Sequence, residues 1–302
     1  MILSIALVNW NNRDYLEQCL ESIEAAQFSL AYEVVVTDNG STDGSQEMLA
    51  ERFPYVRIVQ NEGNVGVARA NNQCIQNSGG RYIWVLNNDT VVNRESVEAM
   101  VQFLDEHPEA AAVGGNLLNS DGSLQSSFGS FPTLWEEFLL VSHIGRFFNP
   151  YFPSHNGTWP IERTVDWMSS ASIVVRRTAI EQIGLIDEAY FIYSDETDWQ
   201  YRLWQAGWKI YYLPEVTTVH YGGGSFQPGG KRYTLVYRGR MLFAHKHYGP
   251  LYRIVQRSMF AAAALGRLGV WLTAQLSGKW RAIARKQIGS NLETLKLCFH
   301  LT

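Results

Sequence analysis

Residues 84–90 read WVLNNDT: an apolar run that stops at two asparagines and an aspartate. A buried strand gains nothing from ending on Asn87, Asn88 and Asp89 unless it delivers them to something polar. The run is the fourth of a regular series. Leu3 to Asn9, Glu33 to Thr37, Val56 to Gln60 and Tyr82 to Leu86 have the β-branched and apolar content of strands. Asp14 to Ala26, Ser45 to Arg52 and Val67 to Asn77 carry helical spacing, with Leu16, Leu20 and Ile23 on one face of the first. Strands alternating with helices predict right-handed crossovers and a parallel sheet covered on both faces. In such sheets ligands collect at the carboxyl ends of the strands.

That edge is where the polar residues fall. The strands are followed by VNWNN, TDNGSTDGS, NEGNVG and NNDT. One turn rich in Asp, Asn and Gly is ordinary turn chemistry; four at one sheet edge predict a crevice for a ligand with hydroxyls, a heterocycle and phosphates. A dinucleotide fold shares the alternation but needs G-x-G-x-x-G after its first strand. Here that turn is Asn9-Trp10-Asn11-Asn12, without glycine. Phosphate charge must be neutralised otherwise, and a divalent cation held by Asp89 is the economical means, since Mg²⁺ needs only one or two protein carboxylates.

The chain has 302 residues, 46% hydrophobic and 13% aromatic, enough for a sizeable core. Ile2 to Val8 is short and lacks preceding basic residues, so it is expected to be a strand and not a signal or membrane helix. Cys19, Cys74 and Cys298 share no close spacing, which points to a reducing compartment such as the cytoplasm. The net charge of −4 hides an asymmetry: from Lys231 onward there are 13 Lys or Arg against a single acid, Glu293. A basic helical tail lying on an acidic body would explain this, and so would attraction to anionic lipid headgroups, about 1 kcal/mol per basic residue near the surface.

SIALVNWNNRDYLEQCLESI, VVVTDNGSTDGS, NEGNVGVARANN and WVLNNDT together resemble the N-terminal half of the family 2 glycosyltransferases, which have the GT-A fold and use nucleotide sugars. VDWMSSASIVVRR, IGLIDEAYFIYSDETDWQYRLWQAGW and VHYGGGS resemble the second half, in the branch with bacterial rhamnosyltransferase-like enzymes. The resemblance covers about residues 1–250, in the expected order. It implies an α/β fold of GT-A type: a Rossmann-like, mostly parallel central sheet flanked by helices, with a basic helical C-terminal extension. Residues 1–230 would form the transferase domain, with 1–115 binding the nucleotide sugar and 116–230 supplying the acceptor and catalytic half. Residues 231–302 would be the membrane-associating extension.

Carried over by position, Asp38 would accept a hydrogen bond from the base or ribose of the donor. Asn9, Asn11, Arg13 and Asn88 would line the nucleotide pocket, and Asn64, Gly66, Arg69 and Asn72 would lie near ribose and diphosphate. Asp89 matches the last carboxylate of the family's D-x-D motif, while Asn87 stands where the first Asp often is. His220 matches a metal-ligand position of related enzymes; with Asp89 and phosphate oxygens it would hold Mg²⁺ or Mn²⁺, imidazole favouring Mn²⁺ somewhat.

Inverting sugar transfer also needs a base for the acceptor hydroxyl. Glu196 takes the position of the family's catalytic Asp, with Asp195 orienting acceptor or base. Asp198 and Trp167 are acceptor-side candidates. Asp198 also fits a plainer role, because Arg202 lies one helical turn on and acids in a first turn favour the helix dipole.

The segment Asn116 to Val165 is expected to be a long irregular loop facing the acceptor. Gly222 to Ser225 are expected to form a flexible loop closing over the diphosphate, with Lys231 and Arg232 as charge partners. In the tail, Leu251, Ile254, Val255 and Met259 share one helical side and Arg253 and Arg257 another, as in an interfacial helix. Arg267 would cost roughly 2.5–3.5 kcal/mol at the centre of a span, so a surface-lying helix is expected.

The expected activity is therefore inverting, metal-dependent transfer from dTDP-rhamnose or a UDP-sugar to a hydroxyl of a growing, possibly lipid-linked surface glycan. It would take place at the cytoplasmic face of the inner membrane, with no nucleic-acid partner. The alternative is a catalytically weak sugar-nucleotide-binding or assembly subunit of a polysaccharide-synthesis complex, with Asn87 and the SDETD acids as signs of decay.

Overall fold

A computed structural model describes residues 1–148, 154–155, 161–222, 231–276, 278 and 280–300. The expected closing loop at Gly222 to Ser225 falls outside these except for Gly222, as do the side chains of Lys231 and Arg232.

In chain order, β1 (Leu3–Asn9), α1 (Arg13–Ala26), β2 (Tyr32–Asp38), α2 (Ser45–Arg52), β3 (Arg57–Gln60), α3 (Val67–Gln76) and β4 (Tyr82–Asn87) form the expected alternation. Then come β5 (Thr90–Val91), α4 (Arg94–Glu106), β6 (Ala110–Leu118), β7 (Leu124–Gln125), β8 (Phe128–Gly129), α5 (Leu134–Ser142), α6 (Gly145–Phe148) and β9 (Ser154–His155). They are followed by β10 (Arg163–Val165), β11 (Trp167–Met168), β12 (Ser172–Arg176), α7 (Arg177–Ile183), α8 (Asp195–Gln205) and β13 (Lys209–His220). The tail is helical: α9 (Lys231–His247), α10 (Pro250–Ala274) and α11 (Arg281–His300).

The main sheet runs β10-β13-β6-β12-β4-β1-β2-β3, with β5 on β13 and β7 on β6. Its first four strands are parallel, as expected, and aligned so that Asn9 lies opposite Asp38 and Val8 opposite Asn87. β12 is antiparallel to both β4 and β6, while β13 is parallel to β6. One apolar cluster packs α1, α2 and α4 on one face, through Leu16, Leu20, Met48 and Met100. The other face is covered by α3, α7 and α8, through Ala68, Ile180 and Trp199. Apolar burial at about 25 cal/mol per Å² on both faces explains why β1 and β4 read as continuous hydrophobic runs.

By compactness the chain divides into two units. The first is Met1–Phe131, Ser154–Phe191 and Asp195–Phe226, and it contains the sheet. The second is Pro132–Pro153, Ile192–Ser194 and Gln227–Thr302. Within it, Glu137 of α5 is fully buried, accepting from Arg240 Nε at 2.8 Å and from Gln256 Nε2 at 2.8 Å. Tyr237, Met241, Phe260 and Cys298 form its small core, and the Arg267 guanidinium lies over the Tyr237 ring. Among the described residues no helix is long and apolar enough to cross a membrane.

The segment from 116 to 165 is less irregular than expected. Its described residues include the end of β6, the short strands β7, β8, β9 and β10, and the helices α6 and α5, in the last of which Thr133 and Glu136 form a capping box. That signature, Thr133 and Glu136 flanking the apolar Leu134-Trp135, was legible in the sequence; the surrounding Pro, Gly and Ser masked it.

Candidate active site

The polar clusters meet at the carboxyl ends of β1, β2 and β4. Side chains alternate along a strand, and the alternation continues past β4. Asn88 turns inward, donating to Asn9 Oδ1 at 2.7 Å and accepting from Asn12 at 3.0 Å. Asn9 in turn donates to Asp38 Oδ2 at 3.0 Å and to Ser41. Asn87 and Asp89 face the other way, toward His220 at the end of β13. His220 Nε2 is 3.3 Å from Asp89 Oδ1 and 3.2 Å from Asn87 Nδ2. The pairing of β13 with β5, His220 opposite Thr90, sets this meeting.

These three side chains suit a hard divalent cation. Asp89 offers a carboxylate, His220 an imidazole nitrogen, and Asn87 an amide whose oxygen becomes available on rotation. Among the described residues no group of three or more His, Cys, Asp or Glu is placed to hold a metal. The set is therefore short of charge and would leave most coordination positions of a cation to other ligands.

Asp38 is heavily bonded within the protein. Its residue is fully buried, Oδ1 accepts from the Ser41 amide, Gln46 and Gln60, and Oδ2 accepts from Asn9. Burial alone would push the carboxyl up, but the bonds from Ser41, Gln60 and Asn9 outweigh it and hold the group below its ordinary range. Asp38 thus shapes the pocket floor through Asn9 and Ser41, with three of these four bonds gathered on Oδ1. Asn11 accepts from Thr42 N at 2.7 Å, and the Arg13 amide donates to Asp43 at 2.9 Å, stitching the first two loops together. The Arg13 side chain remains largely exposed beside Asp14.

The α3 residues divide by role. Asn64 accepts from Gly66 N, shaping the turn, and Arg69 reaches outward to Glu188 at 3.9 Å. Gly66 has φ +90°, and a Cβ there would meet the Phe191 carbonyl oxygen at 2.9 Å, so only glycine lets Val67 N bond Phe191 O. Asn72 is buried, donates to Ile186 O and Glu188, and accepts from Ile186 N. These bonds dock segment 186–191 onto α3 and so position the approach to α8.

Asp195 and Glu196 open α8 directly after Tyr193 and Ser194, both of which take left-handed φ of 67° and 64°. Such backbone is costly in non-glycine residues and clusters at functional sites. Asp195 is buried, Glu196 is partly open, and their carboxyls share a hydrogen bond. Burial pushes both carboxyls up, and the neighbouring Asp195 charge drives Glu196 well above its ordinary range. Gln200 staples the helix to β11, accepting from Met168 N and donating to Met168 O, both at 2.7 Å.

Asp198 has the structural partners that its place one turn before Arg202 suggests. It is 1% exposed, with one oxygen on Tyr190 at 3.1 Å and the other on Arg202 at 3.0 Å, so it anchors the helix. Trp167 is held from its indole nitrogen to Ser130 O at 2.9 Å, and its ring packs so close to Gly129 that a Cβ there would lie 2.3 Å away. Packing occupies most of that ring.

Residues 4–183 match the sequence profile of the family described as Glycosyl transferase family 2. An N-acetylglucosaminyl-diphospho-decaprenol L-rhamnosyltransferase of Mycobacterium tuberculosis is 29% identical over 239 residues, 73% of this chain and 76% of that protein. Abequosyltransferase RfbV of Salmonella typhimurium is 29% identical over 115 residues, 36% of this chain and 34% of that protein. Among solved structures, mannosyltransferase PcManGT of Pyrobaculum calidifontis, in complex with GDP-Man and Mn²⁺, superposes with TM-score 0.57 at 14% identity, over 99% of this chain and 87% of that one. S. aureus TarS 1–349 in complex with UDP superposes with TM-score 0.52 at 14% identity, over 99% and 90%. These neighbours share the GT-A fold with the sheet described above.

Proposed function

Because the chain belongs to glycosyl transferase family 2 and is a glycosyltransferase, we propose that it is an inverting, metal-dependent enzyme. It would move a sugar from dTDP-rhamnose or a UDP-sugar to a hydroxyl of a growing surface glycan. The observation that supports this best is the meeting of Asn87 and Asp89 with His220, 133 residues beyond Asn87 in sequence, at the crevice edge of β4. Asp89 and His220, with Asn87 as a weaker partner, would hold Mg²⁺ or Mn²⁺. That cation would neutralise the leaving diphosphate as the glycosidic bond to the nucleotide breaks. Glu196, once deprotonated, takes the proton of the acceptor hydroxyl as its oxygen attacks the anomeric carbon from the opposite face, which inverts the configuration. Asp195 orients that carboxylate, and the Asn9–Asn88–Asn12 amides with Asp38 keep the nucleotide side rigid.

The test is donor hydrolysis and transfer across UDP- and dTDP-sugars, with Mn²⁺, with Mg²⁺ and with chelator. Metal-dependent turnover of at least one donor is expected. Equal turnover in chelator would remove the metal, and binding without turnover of any donor would favour the assembly-subunit reading.

The acceptor is proposed to be lipid-linked, in keeping with the relative whose name includes a diphospho-decaprenol substrate. The second unit supports membrane attachment at the cytoplasmic face: Trp135, Phe147, Leu251, Ile254 and Leu276 are strongly exposed, in a unit whose segment from Lys231 carries 13 basic residues and one acid. Apolar side chains beside cations suit an anionic interface. Co-flotation with vesicles rich in anionic lipid is expected at low salt and should diminish as salt rises. An equal soluble fraction with anionic and neutral vesicles would refute attachment.

A further inference from the structure

We propose that Gln125 is a positioning residue that holds the proton of His220 on Nδ1, so that Nε2 is the ring nitrogen left for a cation shared with Asp89 and Asn87. The inference rests on reading those residues as a cation site, and its geometry lies wholly within the first unit. β7 pairs with β6, Gln125 opposite Leu117, and β6 pairs with the end of β13, Leu118 opposite Val219. Three adjacent strands thereby bring the Gln125 amide beside the imidazole.

Each orientation follows from the one before it, starting at a carboxylate. Asp121 can only accept, so the Ser123 hydroxyl donates to it at 2.6 Å. The Ser123 oxygen then accepts from Asn119 Nδ2 at 2.8 Å. That turns Asn119 Oδ1 toward Gln125, whose Nε2 donates to it at 2.7 Å and donates as well to the His220 backbone carbonyl. With both N–H groups so used, Gln125 Oε1 is the atom 2.9 Å from His220 Nδ1. An amide oxygen only accepts, so Nδ1 carries a proton; a neutral ring then has a bare Nε2, with the Asp89 carboxylate 3.3 Å away as the competitor for a proton on that side.

The Asn87 amide nitrogen, 3.2 Å from Nε2, donates to that nitrogen when it is bare. A relay running from the β6–β7 turn to the sheet edge therefore sets which ring nitrogen can bind a cation, as partners behind metal-binding histidines commonly do.

Long-range proton–nitrogen NMR of ¹⁵N-histidine-labelled, metal-free protein, at a pH where the ring is neutral, reads the tautomer directly. The His220 signal is assigned by its loss in His220→Ala. Wild type is expected in the Nδ1–H form. Gln125→Met should shift His220 toward the Nε2–H form that a free ring prefers in water, whereas Gln125→Glu, still an acceptor, should keep Nδ1–H. Mn²⁺ affinity in the presence of UDP should fall about 10- to 100-fold in Gln125→Met and less in Gln125→Glu. An Nε2–H ring in wild type, or the same tautomer in wild type and Gln125→Met, would overturn the proposal. If His220→Ala binds Mn²⁺ as wild type does, the cation-site reading fails, while the tautomer result still decides the role of Gln125.

Discussion

Glu196→Gln is expected to lower sugar transfer by roughly 10²- to 10⁴-fold, the range attributed to general-base catalysis, with UDP affinity unchanged within a few-fold. The amide keeps the shape and the partial exposure of Glu196 but cannot take a proton. The pH profile supplies the second readout. Burial and the Asp195 charge raise the Glu196 carboxyl well above its ordinary range, so wild-type kcat/KM should fall as pH drops through that raised value.

Stability should move the other way. A carboxyl whose folded pKa lies above its unfolded pKa destabilises the fold as pH rises between the two values, because the unfolded chain ionises more readily. At acid pH both forms are neutral and the two proteins should melt together; near neutrality the glutamine variant should melt higher. Undiminished turnover, or an acid limb that survives the substitution, would remove Glu196 from the base position.

Asp89→Ala should abolish metal-dependent donor binding, an effect of at least about 100-fold in UDP affinity with Mn²⁺, whereas Asn87→Ala should weaken it only several-fold. The difference follows from charge. Removing Asp89 leaves a neutral imidazole and an amide, which cannot hold a dication against water; removing Asn87 leaves both stronger ligands. Calorimetric titration of UDP with Mn²⁺ and with chelator measures both. Mn²⁺-dependent binding of wild-type strength in Asp89→Ala would dismiss the site.

How far the sequence could be read depended on the distance over which each fact was set. The alternation from β1 to β4 and the placing of polar residues at one sheet edge were legible because both follow from local periodicity. The likeness to family 2 also pointed to Asp89 and His220 as a pair before any geometry joined them. The partners of Asn72 and Asp198, namely Ile186, Glu188 and Tyr190, are not legible in their motifs, because those bonds are set by the packing of segment 186–191. Gln125 drew no notice at all, since a glutamine in a serine-rich stretch carries no pattern of its own.

By itself the sequence determined the parallel half of the sheet, the family and the positions at which acids and amides must crowd a strand end. Hydrophobic period and turn chemistry act over a few residues, and they survive in a one-dimensional string. Only the tertiary structure decided which of those polar groups face the crevice. Asn88 turns inward while Asn87 and Asp89 turn toward His220, Asp38 spends its oxygens on Asn9, Ser41, Gln46 and Gln60, and Asp195 with Glu196 is raised by burial. Hydrogen-bond partners and local dielectric are properties of neighbours in space, and β13 pairs with β5 across a long stretch of sequence.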